Sequence, residues 1–96
     1  MHVVIRIYRG KGVKKLFDIG EQHATELQRV MRSVEGLISY TLARDGDGGF
    51  AVTVCQTRRG INQSIKVARA FLKQRAPDLS LAAMHITEGR VIAQVK

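Results

Sequence analysis

The stretch that most constrains the fold of this chain is a hairpin signal between Gly36 and Gln56. Two runs rich in β-branched and aromatic residues flank the turn cluster Asp-Gly-Asp-Gly-Gly at positions 45–49. Asp and Gly tolerate the positive φ that a tight reversal requires, so the stretch predicts two antiparallel strands, at about Leu37–Arg44 and Phe50–Gln56. A helical pattern lies on each side of this hairpin, and a further strand bounds each pattern on its far side.

Residues 2–9 predict the first strand, and alternation divides its side chains between two unlike faces. The aliphatic face holds Val3, Ile5 and Ile7, and the mixed face holds His2, Val4, Arg6 and Tyr8. We expect the mixed face to lie on the side of the sheet that the helices leave uncovered. In the hairpin, Ile38, Tyr40 and Leu42 or their alternating neighbours share that side, and the pattern leaves this choice open.

The first helical pattern starts at about Asp18. Asp18 is a candidate N-cap with Glu21 three residues later, although Gly20 between them also allows a start one turn further on. Gly36 is placed to end the helix in the left-handed conformation. The apolar stripe has helical spacing and consists of Leu27, Val30, Met31 and Val34.

The second helical pattern begins at Thr57 or a neighbour. It ends before Pro77, because proline cannot continue a helix and disfavours helical geometry at the preceding residue. Its apolar stripe consists of Ile61, Ile65, Ala68 and Leu72, with Val67 and Phe71 at the margin. Its outer face is basic through Lys66, Arg69, Lys73 and Arg75.

The last segment begins near Leu79, and residues 90–95 alternate as a strand after a bend or bulge at 87–89. The order β-α-β-β-α-β predicts an α+β, ferredoxin-like fold with a four-stranded antiparallel sheet and both helices on one face. The other face of the sheet is then left bare. A bare face with this much apolar area is typical of proteins that bind a second copy, a ligand or RNA.

Length and composition narrow the class of protein. A chain of 96 residues predicts a single domain, 1–96. The only cysteine, Cys55, excludes an internal disulfide, and no apolar run is long enough to span a bilayer, so we expect a cytoplasmic protein. The net charge of +8 favours non-specific attraction to nucleic acid, anionic membranes or acidic ligands, or is simply a solvated basic surface.

In layout and texture the chain resembles the dimeric α/β-barrel superfamily that includes antibiotic-biosynthesis monooxygenase (ABM) domains. The matching pieces are the first strand VVIRIYRG, the Gly-x-x-x-Tyr pattern from Gly36 to Tyr40, the Gly/Asp-rich hairpin and the ending HITEGRVIAQVK. The resemblance is greatest to small, uncharacterised bacterial ABM-like proteins, and it covers nearly the whole chain. It rests on order, spacing and composition rather than on one diagnostic motif.

The resemblance implies a homodimer in which two sheets face each other, with a cavity between sheet and helices or inside the barrel. Relatives bind aromatic polyketides, heme or other small molecules there. The catalytic Asn, Trp and His of the heme-degrading relatives have no counterparts, since this chain has no Trp, no Asn in its first strand and no His in its second helix. A small hydrophobic or aromatic ligand is expected, catalysis as a cofactor-free monooxygenase is the alternative, and no cofactor is expected.

Four residues are candidate ligand contacts: Arg6, Tyr8, Tyr40 and His85. Arg6 has the chemistry to pair with a carboxylate or phenolate, and Tyr8 or Tyr40 to donate a hydrogen bond. The competing interpretation places these residues in a dimer interface, where Tyr and Arg are enriched. The histidines are too far apart in sequence to predict a metal site, and Cys55 lies within a strand next to Arg58 and Arg59.

An RNA-binding module is a second alternative, because RNA-recognition motifs share this element order and the chain is basic. Gly49-Phe50-Ala51 matches part of the ribonucleoprotein signature. Val52 and Cys55 stand where that signature has aromatic residues. Base recognition on such a sheet depends on aromatic platforms, so the sequence makes nucleic acid an unlikely partner.

Overall fold

The computed structural model describes residues 1–79 and 83–96 of the protein. The elements are β1 (His2–Tyr8), α1 (Val13–Gln22), α2 (Ala24–Met31), β2 (Leu37–Asp45), β3 (Gly48–Cys55), α3 (Arg58–Arg75) and β4 (His85–Arg90). The sheet has the order β2-β3-β1-β4, and every neighbouring pair is antiparallel. This confirms the α+β, ferredoxin-like class. None of the described helices has the length and apolar character needed to cross a membrane.

The hairpin of β2 and β3 closes through a two-residue turn. Asp45 pairs with Gly48, which leaves Gly46 and Asp47 as the central residues. Gly46 has φ 62° and Asp47 has a negative φ, the pattern of a hairpin turn with glycine at its first central position. The turn is therefore shorter than the glycine-rich cluster alone suggests, and β3 begins two residues earlier than predicted.

The first helical region begins earlier than predicted and is divided in two. Gly12, with φ 86°, is the N-cap of α1, so Asp18 lies inside the helix and is not its cap. The carboxylate of Asp18 instead accepts hydrogen bonds from Lys14 Nζ at 2.9 Å and Arg44 Nη2 at 2.8 Å. α2 ends at Met31, so Gly36, although left-handed with φ 78°, introduces β2 and does not terminate the helix.

α3 agrees closely with its sequence pattern. Thr57 is the N-cap, and its hydroxyl accepts from the Gly60 N–H at 3.2 Å. The helix ends at Arg75, two residues before Pro77. Ile61, Phe71 and Leu72 are buried, which confirms the apolar stripe.

The last strand lies several residues earlier than predicted. β4 pairs with β1 from His85 to Arg90, so residues 87–89 belong to the strand and the prediction of a strand at 90–95 was wrong. The limits follow the pairing with β1: the last pair is His2 with Arg90, and Val91 N–H then donates to the Met1 carbonyl. The predicted start of this segment near Leu79 adjoins residues 80–82, which lie outside the described residues.

The residues of β3 decide which face of the sheet the helices cover. Ala51, Thr53 and Cys55 are buried under the helices, whereas Phe50 and Val52 point away and stay partly exposed. Small side chains under the helices let them approach the sheet closely. Cross-strand partners share a face, and β1 pairs Arg6 with Ala51 and Val4 with Thr53.

The mixed face of β1 therefore meets the helices, and its expected place on the bare side was wrong. Val4 is almost fully buried and packs with Cys55 and Ile61. The bare side is instead the aliphatic face of β1, whose residues belong to neither of the two buried core clusters of the described chain. We call it the aliphatic sheet face; it is formed by Val3, Ile5, Ile7, Phe50 and Val52.

Candidate functional site

Three of the four predicted site residues come together between the sheet and the helices. Arg6, Tyr8 and Tyr40 line one cavity of about 40 Å³, which we call the Arg6 cavity. Its remaining walls come from α1, α3 and the neighbouring strands. They are Leu16, Leu42, Ala51, Thr53, Ser64, Ile65, Ala68, Arg69 and Leu72.

The guanidinium of Arg6 is tied to one neighbour on its own strand. Arg6 Nε donates to Tyr8 Oη at 3.0 Å, since residues two apart on a strand point the same way. Tyr8 is held in turn by an edge-to-face contact with Phe17 of α1, with ring centroids 6.1 Å apart. Packing and one hydrogen bond thus hold the orientation of the guanidinium.

Arg6 is buried without an acidic partner. Only 8% of its surface is exposed. Within the described residues, no carboxylate forms an ion pair with it, and residues 80–82 are Ser, Leu and Ala. A buried charge is normally paired, because removing it from water costs several kcal/mol or more.

Arg6 lines the cavity, and its guanidinium has two terminal nitrogens besides Nε. Neither donates a hydrogen bond to a described residue. Within the described part of the chain they are therefore available to donate to a molecule in the cavity.

Tyr40 presents a neutral hydroxyl to the same cavity. Burial raises the pKa of Tyr40 to about 12; the proximity of Tyr8 adds to the increase and Arg6 opposes it. The phenol therefore stays protonated at physiological pH and acts as a hydrogen-bond donor. The described residues lining the cavity include no carboxylate, histidine or thiol, so the arrangement suits binding better than proton abstraction.

Sequence reasoning missed two hydroxyls that belong to this site. Thr53 and Ser64 are buried and line the cavity, and Ser64 Oγ donates to the Ile61 carbonyl at 2.6 Å. Strand alternation places Thr53 on the same face of β3 as Ala51 and Cys55, under the helices. Ser64 follows Ile61 by three residues on the apolar stripe of α3, and a polar residue at a buried helical position was the available signal.

A larger groove lies next to the Arg6 cavity, along the free edge of β2. We call it the β2 groove; its volume is about 590 Å³, and α1 and α2 form its opposite wall. Tyr40 and Leu42 line both the groove and the cavity, so they separate the two spaces. The groove is mostly apolar and is lined in addition by Phe17, Gly20, Glu21, Ala24, Leu27, Gln28, Met31, Arg32, Leu37, Ile38, Ser39, Thr41 and Arg44.

His85, the fourth candidate, lies apart from the other three. It pairs across the strands with Ile7, so it belongs to the side of the aliphatic sheet face, and its Nε2 lies 3.0 Å from Thr87 Oγ1. Cys55 is fully buried, and burial raises the pKa of its thiol, so the nearby Arg58 and Arg59 do not make it a reactive thiolate. In the described part of the chain, no three His, Cys, Asp or Glu side chains converge as metal ligands would.

The aliphatic sheet face offers a poor platform for RNA bases. Tyr8 and Tyr40 lie on the helix side, which leaves Phe50 as the aromatic residue of this face within the described strands. Stacking on aromatic side chains contributes roughly 1–3 kcal/mol per base, and one ring does not provide the two or three stacked bases typical of such sheets. The geometry therefore weighs against the RNA-binding alternative.

Comparisons with known proteins identify the fold. No family model matches the chain, and no curated protein does. Among solved structures, it is similar to a protein assigned as an antibiotic biosynthesis monooxygenase from Chloroflexus aurantiacus J-10-fl, with 14% identity, a TM-score of 0.61, and coverage of 99% of this chain and 96% of that one. A dimeric ferredoxin-like protein from an uncultured marine organism has 12% identity, a TM-score of 0.59, and coverage of 99% and 95%.

MupZ from Pseudomonas fluorescens matches 91% of this chain with 12% identity and a TM-score of 0.62, and the chain spans 65% of the length of MupZ. At these identities the likeness shows a shared fold and not a shared activity. The chain has the ferredoxin-like fold that its sequence predicts, and it shares this fold with a protein assigned as an antibiotic biosynthesis monooxygenase.

Proposed function

We propose that the protein is a homodimer of the ABM-like fold that binds a small organic molecule at the Arg6 cavity and the adjoining β2 groove. The observation that supports this most directly is the convergence of Arg6, Tyr8 and Tyr40 in a space with apolar walls. A few convergent polar groups in an apolar cavity are typical of small-molecule sites. The described cavity residues include no general base, which supports binding as the main activity, with oxygenase chemistry as the alternative.

Two features support the homodimer. The aliphatic sheet face is too apolar to be an ordinary exposed surface of a monomer, and a second copy would cover it. The segment after β4 is also apolar and exposed, with Ile92 87% and Val95 99% accessible. A dimeric neighbour of the same fold supports the same arrangement.

The binding site is tested by filling the cavity from α3. Ala68 lines the Arg6 cavity, whereas Ala70 of the same helix is exposed. Small aromatic compounds are titrated into isotope-labelled protein, and amide shifts are followed by NMR. We expect shifts to cluster around β1, β2 and α3, and Ala68→Leu to weaken binding about tenfold or more by occupying the space.

Ala70→Leu is the matched control and should bind as the wild type does. Equal binding by both variants, or shifts confined to the aliphatic sheet face, would place the ligand elsewhere and contradict the proposal. Oxygen consumption is measured with an electron-rich quinol in the same samples. Turnover that is lost in Tyr40→Phe would favour the cofactor-free monooxygenase alternative.

A further inference from the structure

We propose that the ligand is an amphipathic organic anion whose acidic group lies against Arg6 and whose apolar body lies in the β2 groove. This inference rests on the proposed function, because it names the chemical class that the same site takes. The acidic group is a carboxylate or another compact anion of one negative charge. Charge, volume and polarity each support it.

The charge of the Arg6 guanidinium favours an anionic ligand. Arg6 is more than nine-tenths buried, holds one hydrogen bond to Tyr8 and has no acidic partner among the described residues. Its two terminal nitrogens have no hydrogen-bond partner in the same residues, and a guanidinium presents such nitrogens in the fork that matches a carboxylate. An anion in the cavity would balance the charge that the described residues leave unbalanced.

The volumes of the two spaces place the head of the ligand in the Arg6 cavity and its body in the β2 groove. A cavity of about 40 Å³ has room for a carboxylate or a few water molecules and not for an aromatic ring. The β2 groove, at about 590 Å³, lies within the range of known ligand sites, roughly 300–1,000 Å³. Tyr40 and Leu42 separate the two spaces, so a ligand that moves these side chains reaches both.

The polarity of the cavity also favours an anion over a cation or a neutral base. The hydroxyl of Tyr40 stays protonated and is a donor beside the guanidinium, and Thr53 adds a second hydroxyl. No carboxylate among the described residues lines the cavity, so nothing there would attract a positive group. Donors without a matching acceptor predict an acceptor-rich head group.

The test uses a pair of probes that differ only in charge. 2-Naphthoate and 2-naphthamide have the same ring system, and calorimetry on the wild-type protein gives both affinities. We expect the acid to bind at least about tenfold more tightly, because it adds a charged hydrogen-bond pair to the same apolar contact. The preference should persist from about 0.1 M to about 0.5 M NaCl, since a buried pair is screened weakly.

Variants then locate the charge and the groove. Arg6→Gln should lose the preference for the acid while 2-naphthamide binds as before, and Arg59→Gln, an exposed arginine outside the cavity, should keep it. Ala24→Leu should weaken both probes by filling the groove, with Ala70→Leu as its control. If Arg6→Gln does not fold, the wild-type comparison decides alone.

Three results would overturn the inference, and they differ in whether they also contradict the proposed function. Equal affinity for both probes leaves the proposed binding site standing but shows that charge does not select the ligand. Loss of the preference for the acid at high salt, or its loss in Arg59→Gln as in Arg6→Gln, would show that the preference comes from the overall charge of +8. Binding of neither probe contradicts the proposed function and this inference together.

Discussion

Arg6 occupies a position where strand alternation favours an aliphatic residue, on a central strand under two helices. Its cross-strand neighbour Ala51 and its strand neighbour Val4 are both buried there. A charged residue at such a position lowers stability unless it is paired. Charged residues that lower stability because they have no internal partner are typical of functional sites. There the side chain is kept because ligand binding requires it, although folding does not.

Replacing this arginine with an apolar side chain of similar length should stabilise the unliganded protein. We expect Arg6→Met to raise the free energy of unfolding by about 1 kcal/mol, as apolar replacements of buried charges often do, although Tyr8 loses a donor. Urea unfolding measures the difference. Arg44→Met, which removes a partly buried surface arginine paired with Asp18, should instead cost up to about 1 kcal/mol. A loss of stability in Arg6→Met would indicate a structural role for the guanidinium.

Tyr40 should contribute to how stability changes in alkali. Its pKa is raised from 10.0 to about 12 in the folded protein, so the folded state favours the protonated phenol. That contribution is fully present below pH 10 and is lost as pH rises through 12. Tyr40→Phe should therefore lose less stability than the wild type over this interval, as measured by unfolding at a series of pH values. Parallel curves for the two proteins would contradict the burial of the hydroxyl.

At the scale of elements, the hairpin and α3 followed from the sequence and the other two regions did not. The hairpin and α3 are defined locally, by a glycine turn and by a cap, an apolar stripe and a proline. α1 begins at Val13, directly after Gly12, which adopts a left-handed conformation. The apolar stripe in the sequence does not indicate this conformation, so it did not predict the start of the helix. The pairing with β1 sets the first and last residues of β4. The alternation of residues within one segment does not show which strand it pairs with, so the ends of β4 could not be predicted from it.

The packing of α1 against the hairpin depends on Gly49. A Cβ atom there would lie 2.7 Å from Cε1 of Phe17 and would also clash with the backbone carbonyl of Ala43. Gly49→Ala should therefore cost about 2 kcal/mol or more, because neither the carbonyl nor the buried ring has room to move. Gly89→Ala is the matched control in β4, where nothing lies within 4 Å, and should change stability by less than about 0.5 kcal/mol. Chemical denaturation of both variants checks the difference.

For the molecule as a whole, the proposed dimer depends on the aliphatic sheet face. Val52 lies near its centre and pairs with Ile5 on one side and Thr41 on the other. Val52→Lys should raise the dimer dissociation constant at least about 100-fold, since it buries an unpaired charge in the interface at a cost of about 3 kcal/mol or more. Sedimentation equilibrium measures this, with circular dichroism to verify the fold.

The control for this prediction is Asn62→Lys, an exposed position on α3 that adds the same charge away from the sheet. It should sediment as the wild type does. A wild-type protein that is monomeric at micromolar concentration, or a Val52→Lys variant that remains dimeric, would contradict the homodimer.

The sequence by itself determined the order of the strands and helical regions, the hairpin and the division of β1 and the hairpin strands into two faces, because these depend on contacts between near neighbours. It also gave Arg6, Tyr8 and Tyr40 as candidate ligand contacts. Only the tertiary structure decided which face the helices cover. That choice follows from the small residues of β3, which let the helices approach, and from the register that places Arg6 beside Ala51. The side chains expected on an open surface therefore line an enclosed cavity, since packing of distant elements, and not local pattern, selects the buried side of a sheet.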